Sequence, residues 1–173
     1  LQTSLLKEAN NLFALTELAK LNHTEGNKTA AEKFALRAIE QYPDNAKALR
    51  YYYALKPGEQ ALAKIEQAYQ KNSDNMALTL LYIDALINSG DLTQALVISN
   101  GMETNLKTPK KAWLQRIAIY KKQQNKLQLI TTIEKWLKAN PYHIEPILMV
   151  SDYYVKQRQV DKALHYLDKA LLA

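Results

Sequence analysis

Apolar residues return along this chain at steps of three and four. Leu78, Tyr82, Ala85 and Leu86 form one such stripe; Leu92, Ala95, Leu96 and Met102 form another. A helix of 3.6 residues per turn gathers positions so spaced on one side, so each stripe predicts an amphipathic helix with one buried face. Between them stands Ser89-Gly90-Asp91. Glycine closes a helix well in the left-handed conformation and aspartate is a favoured N-cap, so the segment predicts a helix–turn–helix. Glu25-Gly26-Asn27, ahead of Ala31, Ala35 and Ala38, repeats the arrangement. Tyr42-Pro43-Asp44-Asn45 and Asn140-Pro141-Tyr142 predict the joints between such pairs. Proline cannot continue the helix before it but suits the first turn of the one after.

The pairs recur in a fixed register. Ala31, Ala61, Ala95, Leu129 and Ala163 follow one another at 30, 34, 34 and 34 residues. Seven residues further on, Ala38, Ala68, Met102, Trp136 and Ala170 keep the same spacings. Gly26 and Gly90 each lie five residues before the first series, and Pro43 and Pro141 each five after the second. A period of this size predicts a stack of similar helix pairs, each burying its apolar face against its neighbours.

On these residues the chain resembles a tetratricopeptide-repeat (TPR) array, whose unit is a helix–turn–helix of about 34 residues. Repeat 12–45 matches through Leu18-Ala19, Gly26, Ala31, Ala38 and Pro43. Repeat 46–75 keeps Ala61 and Ala68 but is four residues short, with Pro57-Gly58 at its turn. Repeat 76–109 matches through Tyr82, Gly90, Asp91 and Ala95; repeat 110–143 through Trp113, Tyr120 and Pro141; repeat 144–173 through Tyr154, Ala163 and Ala170. The resemblance implies an all-α fold, a right-handed superhelix of about five repeats forming one domain over 1–173. Leu129 and Trp136 depart from the small residues of their series and predict a wider or re-angled fourth repeat, with Trp113 and Trp136 as core. Residues 1–11, with Leu5, Leu6 and Ala9, either extend the first helix backwards or belong to an earlier unit. The last helix carries Ala163, Leu164, Leu167, Ala170, Leu171 and Leu172 with no polar cap after it, which predicts a following element or self-association through that face. Since the chain opens on Leu1 rather than Met, it reads as an excised piece of a longer protein.

Composition narrows the functional classes. With 47% apolar and 23% charged residues, the 173-residue chain is too apolar for disorder, and its 4 Gly and 5 Pro are too few for a loop-rich β-sandwich. Without cysteine there is no disulfide framework, Cys-based zinc site or thiol catalysis. No apolar run approaches the ~18 residues of a membrane span. Enzyme signatures for phosphate loops, dinucleotide folds, HExxH metal helices and nucleophile elbows are missing. His23, His143 and His165 fall at different phases of the repeat and predict neither a metal site nor an acid–base pair. No cofactor is expected.

Charge is uneven. Lys107, Lys110, Lys111, Arg116, Lys121, Lys122 and Lys126 lie in a stretch without one acidic residue, leaving 16 basic against 17 acidic residues elsewhere. The net charge of +6 therefore resides at the end of the third repeat and in the first helix of the fourth. Concentrated charge of one sign raises the capture rate of an anionic partner, while a solvated lysine face explains it equally. The TPR resemblance further implies a concave groove lined by the first helix of each repeat. Carried over residue by residue, its partner-binding candidates are Lys20, Arg50, Asp84, Asn88, Lys111, Lys121, Lys122, Asp152 and Lys156. The carboxylate clamp of some TPR proteins is unsupported, since Thr16 and Lys20 stand where its first Lys and Asn belong.

The expected function is a non-catalytic scaffold that holds a peptide or protein in that groove. The alternative is an anionic polymer on the basic stretch 107–126, an acidic polysaccharide before nucleic acid, because only Trp113 and Tyr120 interleave with its cations. The array is similar in style to TPR segments of bacterial envelope-assembly and exopolysaccharide-secretion proteins, including the PEP-CTERM type. This favours the periplasm or envelope, with the cytoplasm as the alternative.

Overall fold

The computed structural model describes residues 11–102 and 108–171, with the side chains of Lys169 and Ala170 not included. Over these residues the chain is helical, with ten helices and no strand. They are α1 (Leu12–Thr24), α2 (Lys28–Gln41), α3 (Ala46–Leu55), α4 (Glu59–Lys71), α5 (Met76–Ser89), α6 (Leu92–Gly101), α7 (Lys110–Lys122), α8 (Lys126–Ala139), α9 (Ile144–Lys156) and α10 (Val160–Leu171). Two compact units are formed, one of residues up to Asp91 and one from Leu92 onward. In the first, each helix packs on the next in sequence, and the first helices of successive pairs lie side by side, α1 on α3 and α3 on α5. In the second, α6 packs on α7, α7 on α8, α8 on α9 and α9 on α10.

The helices start where side chains can satisfy their exposed amides. Asn11, Asn45 and Asn75 precede α1, α3 and α5 with extended backbone, and each side chain accepts from amides two or three residues on. Pro109 and His143 hold the same place before α7 and α9. The five positions follow one another at 34, 30, 34 and 34 residues, the period of the alanine series with its single short interval falling one step later. Asn11 also corrects one expectation. Its extended backbone ends α1 at Leu12, so the first helix is not extended backwards; Leu5, Leu6 and Ala9 lie outside the described residues.

The turns inside the pairs show a second regularity. Gly26 and Gly90 take positive φ of 80° and 93°, the left-handed region that glycine enters without a Cβ penalty. Gln124 and Arg158, 34 and 68 residues after Gly90, adopt the same region with φ of 55° and 58°. Four of the five pairs thus share the turn geometry without sharing the residue; the second pair turns at Pro57-Gly58 instead, with Gly58 at φ 148°.

The predicted seam is buried. Ala31, Ala61, Ala95 and Ala163 are inaccessible or nearly so, as are Ala38 and Ala68. In the second unit Trp113, Ile117, Ile130, Ile133, Trp136 and Val150 form one core cluster, flanked by Leu129, Tyr153, Tyr154 and Tyr166. Both tryptophans are core, as expected. The outer face of α10 stays apolar and open: Leu164 is 51% exposed and Leu171 86%. Leu172 and the Ala170 side chain lie outside the described residues.

Candidate functional site

In the first unit, the predicted groove residues occupy the adjacent first helices: Lys20 on α1, Arg50 on α3, Asp84 and Asn88 on α5. Lys20, Arg50 and Asn88 are exposed and Asp84 is half-buried. Lys47 of α3 approaches Glu17 of α1 to 3.9 Å and lies 6.0 Å from the centre of the Phe13 ring, so charge and aromatic surface meet across these two helices. Thr16 is fully buried and its hydroxyl donates to the carbonyls of Leu12 and Phe13 at 2.9 and 3.0 Å, which takes it out of any partner contact.

A notch opens beside Asn88. It has a volume of about 520 Å3 and is lined by Tyr53 of α3, the Pro57-Gly58 turn, Glu59 and Leu62 of α4, and Asn88 and Ser89 of α5. Its origin is the short second repeat. Helix α3 has 10 residues where α1 has 13 and α5 has 14, so the last turn of α5 stands beside a bend rather than a helix. The Tyr53 hydroxyl donates to the Ala85 carbonyl at 3.4 Å and fixes one wall. Sequence reasoning identified the shortened repeat and Asn88 separately; the four-residue deficit was the signal that could have joined them.

In the second unit, the remaining candidates lie on α7 (Lys111, Lys121, Lys122) and α9 (Asp152, Lys156). Asp152 accepts from Lys156 at 2.6 Å, an exposed pair one turn apart on the same helix. Such a pair is worth only about 0.3–0.5 kcal/mol, so both side chains can exchange it for a partner at little cost. The basic stretch does not present all its charge to solvent. Arg116, counted there as a surface cation, is buried: its Nε donates to Ser99 Oγ at 3.1 Å and its guanidinium covers the Trp113 ring at 4.7 Å. The signal was its position three residues after Trp113, on the same face of the helix. Lys110 is engaged by Glu145, whose carboxyl is held below its usual range first by that hydrogen bond. Lys107 lies outside the described residues. Lys121, Lys122 and Lys126 are exposed. Among the described residues, no three His, Asp or Glu side chains converge as metal ligands, and no helix is long and apolar enough to cross a membrane.

The last helix is docked by a carboxylate. Glu134 Oε1 accepts from the hydroxyls of Tyr154 and Tyr166, each at 3.1 Å, and the two rings stack at 5.7 Å and 7°. Burial, then the Glu134 hydrogen bond and charge, push the Tyr166 hydroxyl up to about 12, and Tyr154 is raised for the same reasons. A phenol whose folded value exceeds its unfolded value near 10 favours the folded state below pH 10 and loses that contribution as pH rises towards 12. The melting temperature of wild type is therefore expected to fall more steeply than that of Tyr166→Phe between these limits. Parallel curves would show that Tyr166 ionisation is not linked to folding.

The sequence matches no protein-family model and no curated protein. Solved structures do match. A tetratricopeptide repeat protein from Parabacteroides merdae superposes with a TM-score of 0.67 over 99% of this chain and 70% of its own, at 17% identity. This chain has the tetratricopeptide-repeat fold. PilF of Pseudomonas aeruginosa shares the TPR architecture with a TM-score of 0.65, at 18% identity over 93% of this chain and 75% of PilF. YrrB, described as a TPR protein with an unusual peptide-binding site, gives 0.56 at 19% identity over 98% of this chain and 90% of its own. At these identities the likeness fixes the TPR fold, and the ligand is argued from this chain's own residues.

Proposed function

We propose that this protein is a non-catalytic interaction scaffold of helix pairs, whose first unit holds an extended segment of a partner protein on the first helices of its pairs. The notch beside Asn88 carries this reading. It combines apolar walls from Tyr53, Pro57 and Leu62 with the Asn88 amide, which can both donate to and accept from a peptide backbone. Pockets that join apolar walls to a few placed polar groups suit side-chain recognition. Stacked helix pairs extend such a site along a continuous surface, on which Lys20, Arg50 and Asp84 supply charge on both sides. In the second unit, Lys111, Lys121 and Lys122 on α7 and Asp152 and Lys156 on α9 are a separate set of candidate partner contacts. The YrrB peptide-binding site supports a peptide as occupant. The setting we propose is a bacterial assembly or secretion system. Burial of Arg116 and the pairing of Lys110 weaken the case for an anionic polymer.

The test is selection of binders from a displayed peptide library, followed by fluorescence anisotropy with the winners. Arg50→Glu with Asn88→Ala is expected to weaken binding about tenfold or more, the effect of losing one or two polar contacts. Lys33→Glu, on the second helix of the first pair, is expected to leave it unchanged. Equal affinities for all three proteins would remove the first-helix surface from the account. Polyanions competing more strongly than peptides, with a steep loss in salt, would favour the polymer instead.

A further inference from the structure

The polar groups around the notch beside Asn88 are mostly acceptors. A carbonyl has no proton to give, so the Tyr53 hydroxyl donates to Ala85 at 3.4 Å and the Ser89 hydroxyl to Leu86 at 3.1 Å. Each oxygen then turns only lone pairs to the notch. Glu59, the first residue of α4, adds a carboxylate, which accepts and cannot donate. It is exposed and makes no ion pair or hydrogen bond among the described residues. Asn88 brings the one amide, with donors as well as an acceptor. None of the described residues lining the notch is a lysine, arginine or histidine.

The walls narrow the choice of occupant. Tyr53 and Leu62 are half-buried, and with Pro57 they give the notch an apolar lining below its polar groups. Lysine and arginine lay their methylene stems along such surface while the charged head stays at the water boundary, and a tyrosine ring attracts a cation to its face. An acidic side chain would set its oxygens against Glu59 and the two hydroxyl lone pairs. A purely apolar one would fit the walls but cover a carboxylate without a partner, which costs free energy. The surrounding unit does not oppose a cation: up to Asp91 the chain holds 10 basic against 11 acidic residues.

We propose that the notch holds a basic side chain, arginine or lysine, of the partner segment. Its stem lies on Tyr53, Pro57 and Leu62, and Glu59 is its counter-charge. This rests on the scaffold reading above, in which the notch takes part of a peptide, and names the residue type that it takes.

Parallel selections from one displayed peptide library, on wild type and on Glu59→Gln, test it. Wild-type binders are expected to carry arginine or lysine at one fixed position, and the Glu59→Gln pool to lose that preference. In fluorescence anisotropy with a wild-type binder, glutamine in place of its basic residue is expected to weaken binding to wild type about fivefold, the upper end for an exposed ion pair. The same peptide change is expected to cost Glu59→Gln little, because the pair is already broken there. Glu40→Gln, on α2, is expected to behave as wild type. Whichever of arginine and lysine binds tighter at that position names the head group. Binders that weaken with Arg50→Glu and Asn88→Ala but share no basic residue overturn this inference and leave the scaffold reading standing. So does a basic residue whose loss costs as much in Glu59→Gln as in wild type. A selection that yields no binders overturns both.

Discussion

Trp136→Ala is expected to destabilise the second unit by about 3–5 kcal/mol, the usual cost of truncating a large buried aromatic. Repeat register alone points the other way. Position 136 belongs to the series that holds alanine at 38, 68 and 170, so a small residue there would restore the common pattern. Packing decides against it. Trp136 is fully buried among Trp113, Ile117, Ile130, Ile133 and Val150, and its ring stacks on Trp113 at 6.5 Å and 4°. Stacked rings add about 0.5–1.5 kcal/mol beyond area burial. Alanine would leave both the Trp113 face and the surrounding isoleucines against a void. Denaturant unfolding followed by far-UV circular dichroism measures the loss. A change below about 1 kcal/mol would mean that the fourth pair closes around the missing ring, contrary to the limited collapse of most cores.

How much of this was legible in the sequence depended on what the repeat constrains. Small residues at 31, 61, 95 and 163 were readable because helices can approach closely there only without a large side chain in the way, and four of the five pairs meet that demand. Turn position 26 was readable because Gly26 solves a left-handed φ in the cheapest manner. Gln124 and Arg158 solve the same problem at the same register and left no trace, because a non-glycine residue in that region is invisible as composition. The caps were missed for a related reason: Asn, Asn, Asn, Pro and His share one extended backbone position, and only the three asparagines cap with their side chains. At the candidate sites, chemistry was counted along the chain while the fold sorts it in space. Arg116 was read as surface charge because arginine is seldom buried, yet the Trp113 face and Ser99 compensate its guanidinium. The notch beside Asn88 exists because a residue deficit in one repeat displaces its neighbours, and no single residue records that.

Leucine in place of Ala31 is expected to cost about 1–3 kcal/mol, and the reverse change at the matching position of the fourth pair, Leu129→Ala, about 2 kcal/mol. The two substitutions exchange the residues of one register position, so repeat logic alone would make the second favourable. Ala31 is fully buried on α2, which packs against α1, and three added carbons have no room without moving a helix. Leu129 is partly buried and packs against the Trp113–Trp136 cluster. The fourth pair therefore uses the leucine that the first pair must exclude. Leu129→Ala and Trp136→Ala remove neighbouring parts of one cluster and share a cavity. Their combined loss is expected to differ from the sum of the single losses by about 0.5 kcal/mol or more, as it does for residues in contact. Ala31→Leu combined with Trp136→Ala, in separate units, is expected to be additive. A neutral or stabilising Leu129→Ala would mean that the fourth pair accepts the common small-residue geometry after all.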